Sequence, residues 1–518
     1  MWHGCSRESG SGTTNKPTSP FMRRSGSCSS CSVRNFRFSP VSADSAHGSG
    51  RGTSRPDLRD ARSPQKNFCA NREPSRECKL SVFQGAELLK QHLRSLVRFW
   101  TVGLIAIVAL AAATVETAQQ PAAAAAPQQQ AQAPAGRGRG APPTDTLGAG
   151  PWDLAAGRGV RIHVSAVKGL DHPWGIAFLP DGGMLVTERP GRLRVIRNGV
   201  LDPTPIGPLP QMLATGLGGL LDVALHPRFA ENHLIYLTYS KPGEGQGSAT
   251  TAVLRARWDG GSTLADVKDI LVANAYWGGP GTDQTRGPAS GSYGSRLAFD
   301  KAGLLFVSLG DRNYGPKAQD PASHIGKILR IRDDGTVPPD NPFVGKTGYL
   351  PEIYTLGHRN PLGLAFNPIT KDLWSTEEGP QGGDELNLIK AGKNYGWPRV
   401  SLGRNYDGTV VGEGFTAPGL EEPVVFWVPA IAISGLSFYD DDKFPAWKGN
   451  ALVGAMRNNT GQHIQRVWFN PKGEPVGREI FLGEPKQRIR EVKPGLDGFI
   501  YALTDETFGA VLKIEPGR

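Results

Sequence analysis

Cysteine is nearly absent from this chain, and where it occurs decides what it can do. The five cysteines, Cys5, Cys28, Cys31, Cys69 and Cys78, all precede residue 95. The body beyond them can hold neither a disulfide nor a thiolate metal site. Cys28-x-x-Cys31 lacks a second pair at zinc-finger spacing and is not read as a metal site. Net charge is also missing from the body. The chain carries a formal +10, but residues 1–98 hold 17 Lys and Arg against 7 Asp and Glu, and the remainder holds 41 of each. The body therefore has no electrostatic footprint for nucleic acid. No long window shows a helical period. The apolar run TVGLIAIVALAAATV (101–115) is shorter than the roughly 20 residues of a spanning helix.

These absences divide the chain. Residues 1–95 are basic and rich in Ser, Arg, Gly and Pro, too poor in apolar surface to offset chain entropy, and are expected to be disordered. They have the look of a mis-assigned start, because the segment 96–118 reads as a secretory signal peptide, with a positive flank, a short apolar core and small residues at Ala111 and Ala113. The alternative is an uncleaved membrane anchor. Residues 119–150, rich in Ala, Gln, Pro and Gly, read as a flexible linker. A protein so addressed would be periplasmic or secreted.

The body, 151–518, repeats itself loosely. Six units of strand, turn and strand fall at 173–189, 219–240, 295–311, 360–379, 434–456 and 489–506. Each alternates Val, Ile, Leu, Phe or Tyr with smaller residues and turns at Asp, Gly or Pro, which is a β signal. Six four-stranded units arranged radially make an all-β, six-bladed β-propeller, which protects its strand edges by repetition.

Residues 357–398 carry the densest chemistry. An Arg359-Asn360 pair precedes a Glu378-Gly379-Pro380 turn, two adjacent acids, Asp384 and Glu385, and then Tyr395 and Trp397. Gly379 and Pro380 break regular structure and free carbonyl oxygens. With the acids nearby, these suit a hard cation such as calcium, which takes about 6–8 oxygen ligands; the alternative is a polar loop with a satisfied turn. Further on, Arg488 and Arg490 occupy alternate strand positions and point to one face. Arginine there suits a carboxylate; the alternative is a solvated edge strand.

These strings, with GLGGLLDVALHPRF (216–229), GSRLAFDKAGLLFVSLGDR (294–312), QDPASHIGKILRIRDDGTVPPDNPF (319–343) and RIREVKPGLDGFIYALTDE (488–506), resemble the soluble sugar dehydrogenases that depend on pyrroloquinoline quinone (PQQ), the glucose/sorbosone and aldose sugar dehydrogenase family. The resemblance covers about residues 160–518 and implies the same six-bladed fold. It implies oxidation of an aldose C1 hydroxyl to a lactone, with PQQ and calcium as cofactors and an external electron acceptor. It places Arg488 and Arg490 on the cofactor, Arg457 where the family usually has lysine, and Arg359 with Asn360 against the quinone. Gly379 and Pro380 match carbonyl donors beside the cofactor, and Asp384, Glu385 and Tyr395 match residues attached to calcium.

Two positions depart from the family. Its catalytic histidine is Ser292 here, in Gly291-Ser292-Tyr293-Gly294-Ser295-Arg296, and serine accepts no proton near neutral pH without its own base. Asp311, which in the family orients that histidine, remains. A family glutamine is replaced by Leu217. His172, His226, His324 and His358 are read as structural. Three functions are therefore open. They are an impaired or intact dehydrogenase with Arg359, Asn360, Asp311 and Ser292 at its centre, a non-catalytic secreted binding module, and a propeller hydrolase of the lactonase type.

Overall fold

The structure, a computed structural model, describes residues 145–244, 247–276, 291–457 and 461–518. The basic extension, the signal or anchor segment and all but the end of the linker lie outside these residues. Among the described residues no helix is long and apolar enough to cross a membrane.

The body is the expected six-bladed β-propeller. Five antiparallel sheets have four strands each and run in chain order, covering 173–201, 220–272, 294–356, 361–427 and 433–481. The sixth departs from the expected count. It has five strands, because Trp152–Ala155 and Arg161–Leu170 from the start of the body join three strands at its end. Ile162 pairs with Pro516 and Ala166 with Leu512. The ring is thus closed by hydrogen bonds between the two ends of the domain.

The innermost strands are Pro173–Phe178, Leu220–Leu225, Gly294–Phe299, Pro361–Phe366, Ile433–Phe438 and Ile489–Pro494, and each contacts the next around a closed ring. Each breaks register just after its first ladder pair. Such bulges bend a strand and re-aim its side chains, here toward the central channel.

Apolar burial follows the ring. One hydrophobic cluster fills each of the six gaps between neighbouring blades, such as Leu185, Leu220 and Ile235 between the first two, and Ile162, Leu452 and Ile500 between the last two. This explains why the strand-turn-strand units are apolar on both faces. Buried hydroxyls add clasps between blades. Thr238 Oγ1 donates to the Ser295 carbonyl at 2.8 Å, and Ser308 Oγ to the Pro361 carbonyl at 2.8 Å.

Candidate functional site

Two positions, the residue before an innermost strand and the second residue within it, supply most of the lining at the mouth of the channel. Trp174, Leu221, Leu362 and Arg490 hold the second position; Tyr293, Asn360, Ala432 and Arg488 hold the preceding one. Together with Leu217, Glu378, Met456 and Arg457 they line a cavity of about 350 Å³. That size lies within the range of small-ligand sites, about 300–1,000 Å³. One wall is apolar and the other carries three guanidinium groups.

Arg488 and Arg490 do share a face. Arg490 Nη2 donates to Asp505 Oδ2 at 2.6 Å and Arg488 Nη2 lies 3.3 Å from the same oxygen. Burial opposes the charge of Asp505, yet Arg490, Arg189 and Arg488 together hold its carboxyl well below the usual range. One acid serves two arginines, so a positive charge is left over. Arg490 Nε is buried with no hydrogen-bond partner. Arg457 is exposed, and its Nη1 donates to the Ala430 carbonyl at 2.6 Å. An anionic ligand would complete this arrangement.

Asn360 is fixed on both sides of the same cavity. Its Oδ1 accepts from the Gly294 N–H at 3.1 Å, which turns Nδ2 toward Glu378 Oε2 at 2.9 Å. Arg359 faces a second cavity of about 530 Å³, lined also by Asp311, Pro380, Trp397 and Tyr406. Its Nη1 donates to the Glu378 and Gly379 carbonyls at 2.7 and 3.0 Å, and its guanidinium lies 5.5 Å from the centre of the Trp397 ring. The backbone of this pair is clamped by Glu377, which accepts from the Arg359 N–H at 2.5 Å and lies 2.8 Å from His358 Nδ1.

Asp311 Oδ2 accepts from Trp397 Nε1 at 2.9 Å and Oδ1 from the Asn313 N–H at 2.9 Å. Burial pushes its carboxyl up, while Arg359, these donors and the Ser292 hydroxyl pull it back. Ser292 is buried and lines neither cavity. Its hydroxyl donates to Asp311. Leu217 stands on the wall of the first cavity. The four histidines line neither cavity. His358 is held between Thr355 and Glu377, His226 Nδ1 accepts from the Arg228 N–H, His324 Nδ1 from the Asn274 N–H, and His172 pairs with Asp171.

The five residues matched to calcium fall into two places. Gly379 and Pro380 border the Arg359 guanidinium, and Pro380 lines the second cavity. Asp384 supports that turn from beneath. Its Oδ1 accepts from the Gly379 N–H at 2.8 Å and its Oδ2 from the Ile431 and Ile433 N–H groups at 2.7 and 3.0 Å. Burial and Glu378 raise its pKa to about 6. Glu385 points the other way and faces Glu377 across the ladder. Burial, with Glu377 opposite, raises its carboxyl, against a hydrogen bond from Asn387. Tyr395 belongs to this second place, where its ring stacks on His358 at 4.7 Å. Its hydroxyl is spent on its own hairpin, donating to the Leu388 carbonyl at 2.6 Å. Among the described residues, no three His, Cys, Asp or Glu side chains converge on one point.

The fold and this cavity agree with the family match. The family model described as Glucose / Sorbosone dehydrogenase matches residues 170–513. The chain belongs to the glucose/sorbosone dehydrogenase family. Members are oxidoreductases acting on sugars, and sugar oxidation is the activity this membership supports. The aldose sugar dehydrogenase YliI of Escherichia coli strain K12 is 40% identical over 367 residues, which cover 70% of this chain and 94% of that protein. The apo-form structure of the soluble E. coli aldose sugar dehydrogenase superposes with a TM-score of 0.64 at 40% identity, over 69% of this chain and all of that one (100%). The PQQ-bound aldose sugar dehydrogenase of Streptomyces coelicolor superposes with a TM-score of 0.55 at 26% identity, over 68% of this chain and 98% of that one.

Several residues of this dehydrogenase's site escaped notice in the sequence. Trp174, Arg189 and Asp505 lie within the strand-turn-strand units, and Glu378 and Arg296 stand in named motifs that gave them no role. Aligning the six units residue by residue places Trp174 at the position of Arg490, and Arg296 one place further along the strand.

Proposed function

We propose that this family member holds PQQ in the cavity at the channel mouth and oxidises the C1 hydroxyl of an aldose to a lactone. The observation that carries this is the three-arginine wall, with one acid shared by two arginines and Arg490 Nε left without a partner. Arg457, Arg488 and Arg490 would hold the carboxylates of PQQ, and Trp174, Leu221 and Leu362 would border its ring system. When bound, the quinone supplies the two-electron acceptor, and calcium would act as a Lewis acid beside it. The Gly379 and Pro380 carbonyls would contribute to a calcium site there. Asp384 fits a support for that turn better than a ligand, since three N–H groups already occupy its oxygens. Glu385, half-buried and facing Glu377, fits a second cation, because two carboxylates held opposite each other are relieved by a divalent charge. Arg359, Asp311, Trp397 and Tyr406 would orient the sugar in the adjoining cavity. The electrons would pass to an external acceptor, and the domain would work in the periplasm or outside the cell, where the N-terminal apolar segment would direct it.

A specific observation favours a second possibility, a propeller that binds the cofactor but turns over slowly. Ser292 is buried beside Asp311, and Leu217 stands where the family has an amide. Among the described residues no imidazole lines either cavity. General-base catalysis contributes about 10²–10⁴-fold. Ser292→His restores an imidazole that Asp311 can orient, so aldose oxidation, followed with a reducible dye at saturating PQQ and calcium, should rise by a factor in that range. Brisk wild-type turnover that this change leaves unimproved would show that another group serves as base. No turnover by either protein, with tight quinone binding, would establish a binding module.

A further inference from the structure

The third residues of the six innermost strands are Gly175, Asp222, Arg296, Gly363, Gly435 and Glu491. They form one layer of the channel, directly beneath the cavity floor. Arg296 and Glu491 come from opposite blades and meet in an ion pair, and Asp222 lies 3.3 Å from the same Nη1. The glycines make room for this. A side chain at Gly175 would come within 2.6 Å of Asp222 Oδ1, and one at Gly435 would collide with Glu491.

We infer that Arg296 is a positioning residue for cofactor binding, although it touches neither cavity. This rests on the PQQ site proposed above. Arg296 Nε donates to the Leu362 carbonyl at 2.6 Å, Nη2 to the Arg490 carbonyl at 3.0 Å, and Nη1 reaches the Trp174 carbonyl at 3.5 Å. Its guanidinium lies 4.0 Å from the centre of the Trp174 ring. Leu362, Arg490 and Trp174 are three of the side chains that line the cavity. A single buried fork therefore fixes the backbone under three wall residues from three different blades, and through Arg490 it sets the direction of a cofactor-binding guanidinium. The acids below are held in turn. Asp222 Oδ2 accepts from the Leu297 N–H at 2.9 Å and Glu491 Oε1 from the Val492 N–H at 3.0 Å. Lysine cannot replace this fork. It offers a point charge on a flexible stem, without five donors in one plane.

Two variants of the full-length protein test the inference. Arg296→Lys keeps the charge and loses the fork. Arg296→Met with Glu491→Gln removes the pair together, so that no unpaired glutamate is left buried. The readouts are the Kd for PQQ, by absorbance titration with calcium present, and the melting temperature. Loss of a group that orients a ligand's contacts typically weakens binding by about 10–100-fold, and the Kd should rise by that factor in both variants. Arg490 and Arg488 are still present in each, so the loss would report their misplacement. A lowered melting temperature with an unchanged Kd in the folded protein would make Arg296 a fold residue only and overturn the inference. Wild-type protein that binds no PQQ would instead remove the cofactor assignment on which it rests.

Discussion

At the scale of single residues, the side chains that matter are those whose hydrogen-bond geometry leaves one chemical state. His463 is an example away from the site. Trp427 Nε1 donates to Gln465 Oε1 at 2.8 Å, which turns Gln465 Nε2 toward His463 Nε2 at 3.1 Å. That imidazole nitrogen must accept, so the ring is neutral. Burial lowers its pKa from 6.5 to about 4. Protons bind the unfolded chain first, so the stability this ring contributes is complete above pH 6.5 and is lost as pH falls through about 4. The loss should be on the order of 3 kcal/mol. Urea unfolding at pH 7 and pH 4 should show it in the wild type, and His463→Gln should narrow the gap. Asp384 poses a different question, whether an acid in a calcium-like motif serves metal or backbone. Asp384→Ala leaves three backbone N–H groups unpaired and should cost about 2–4 kcal/mol. Thermal unfolding with and without chelator should show the same loss; a loss that vanishes in chelator would return Asp384 to the metal. The sequence could place Arg359, Asn360, Arg488 and Arg490 because a motif names them. It could not show that Ser292 is buried outside both cavities, or that Asp384 accepts from the Gly379, Ile431 and Ile433 N–H groups, because those facts depend on how distant segments pack together.

At the scale of the element, the strand-turn-strand units were legible because each buries both faces between neighbouring blades and so reads as two short apolar runs. The third and fourth strands of each blade were less visible, since outer strands such as Pro475–Phe481 are half exposed. The strand Arg161–Leu170 escaped the repeat altogether. Its partner is Gly509–Pro516, at the other end of the body, and no local pattern reports so distant a pairing. The clasps between blades also emerge only in three dimensions. Thr238 Oγ1 accepts from the Asp222 N–H at 2.8 Å while donating to the Ser295 carbonyl. Thr238→Val keeps the shape and leaves both groups unpaired. It should destabilise the domain by about 2–3 kcal/mol, measured by urea unfolding. A cost below half a kcal/mol, about the spread of ordinary surface changes, would show that the hydroxyl carries no weight between blades.

At the scale of the whole molecule, the propeller is held by closure rather than by one central core. The last blade takes strands from both ends of the domain, and Leu147 and Ile162 pack into the cluster between the fifth and sixth blades. A chain beginning near residue 145 should therefore fold as a β protein, judged by circular dichroism and a single cooperative melt. One beginning at residue 171 should not, because it lacks the strand that pairs with Gly509–Pro516. Equal melting of the two would show that closure by the first strands is dispensable. The same ring geometry builds the site. Bulges at the head of each innermost strand turn residues from several blades into one cavity, so Trp174, Leu221 and Leu362 meet Arg488 and Arg490 there. The most direct test of this account is an equilibrium titration of PQQ into residues 145–518 with calcium present, comparing wild type with Arg490→Met. The account predicts saturable one-to-one binding by the wild type, weakened at least about tenfold by the substitution, in keeping with the loss of a charge-assisted contact of about 1.5–3 kcal/mol. Binding that is absent, or that is indifferent to the loss of Arg490, would contradict it.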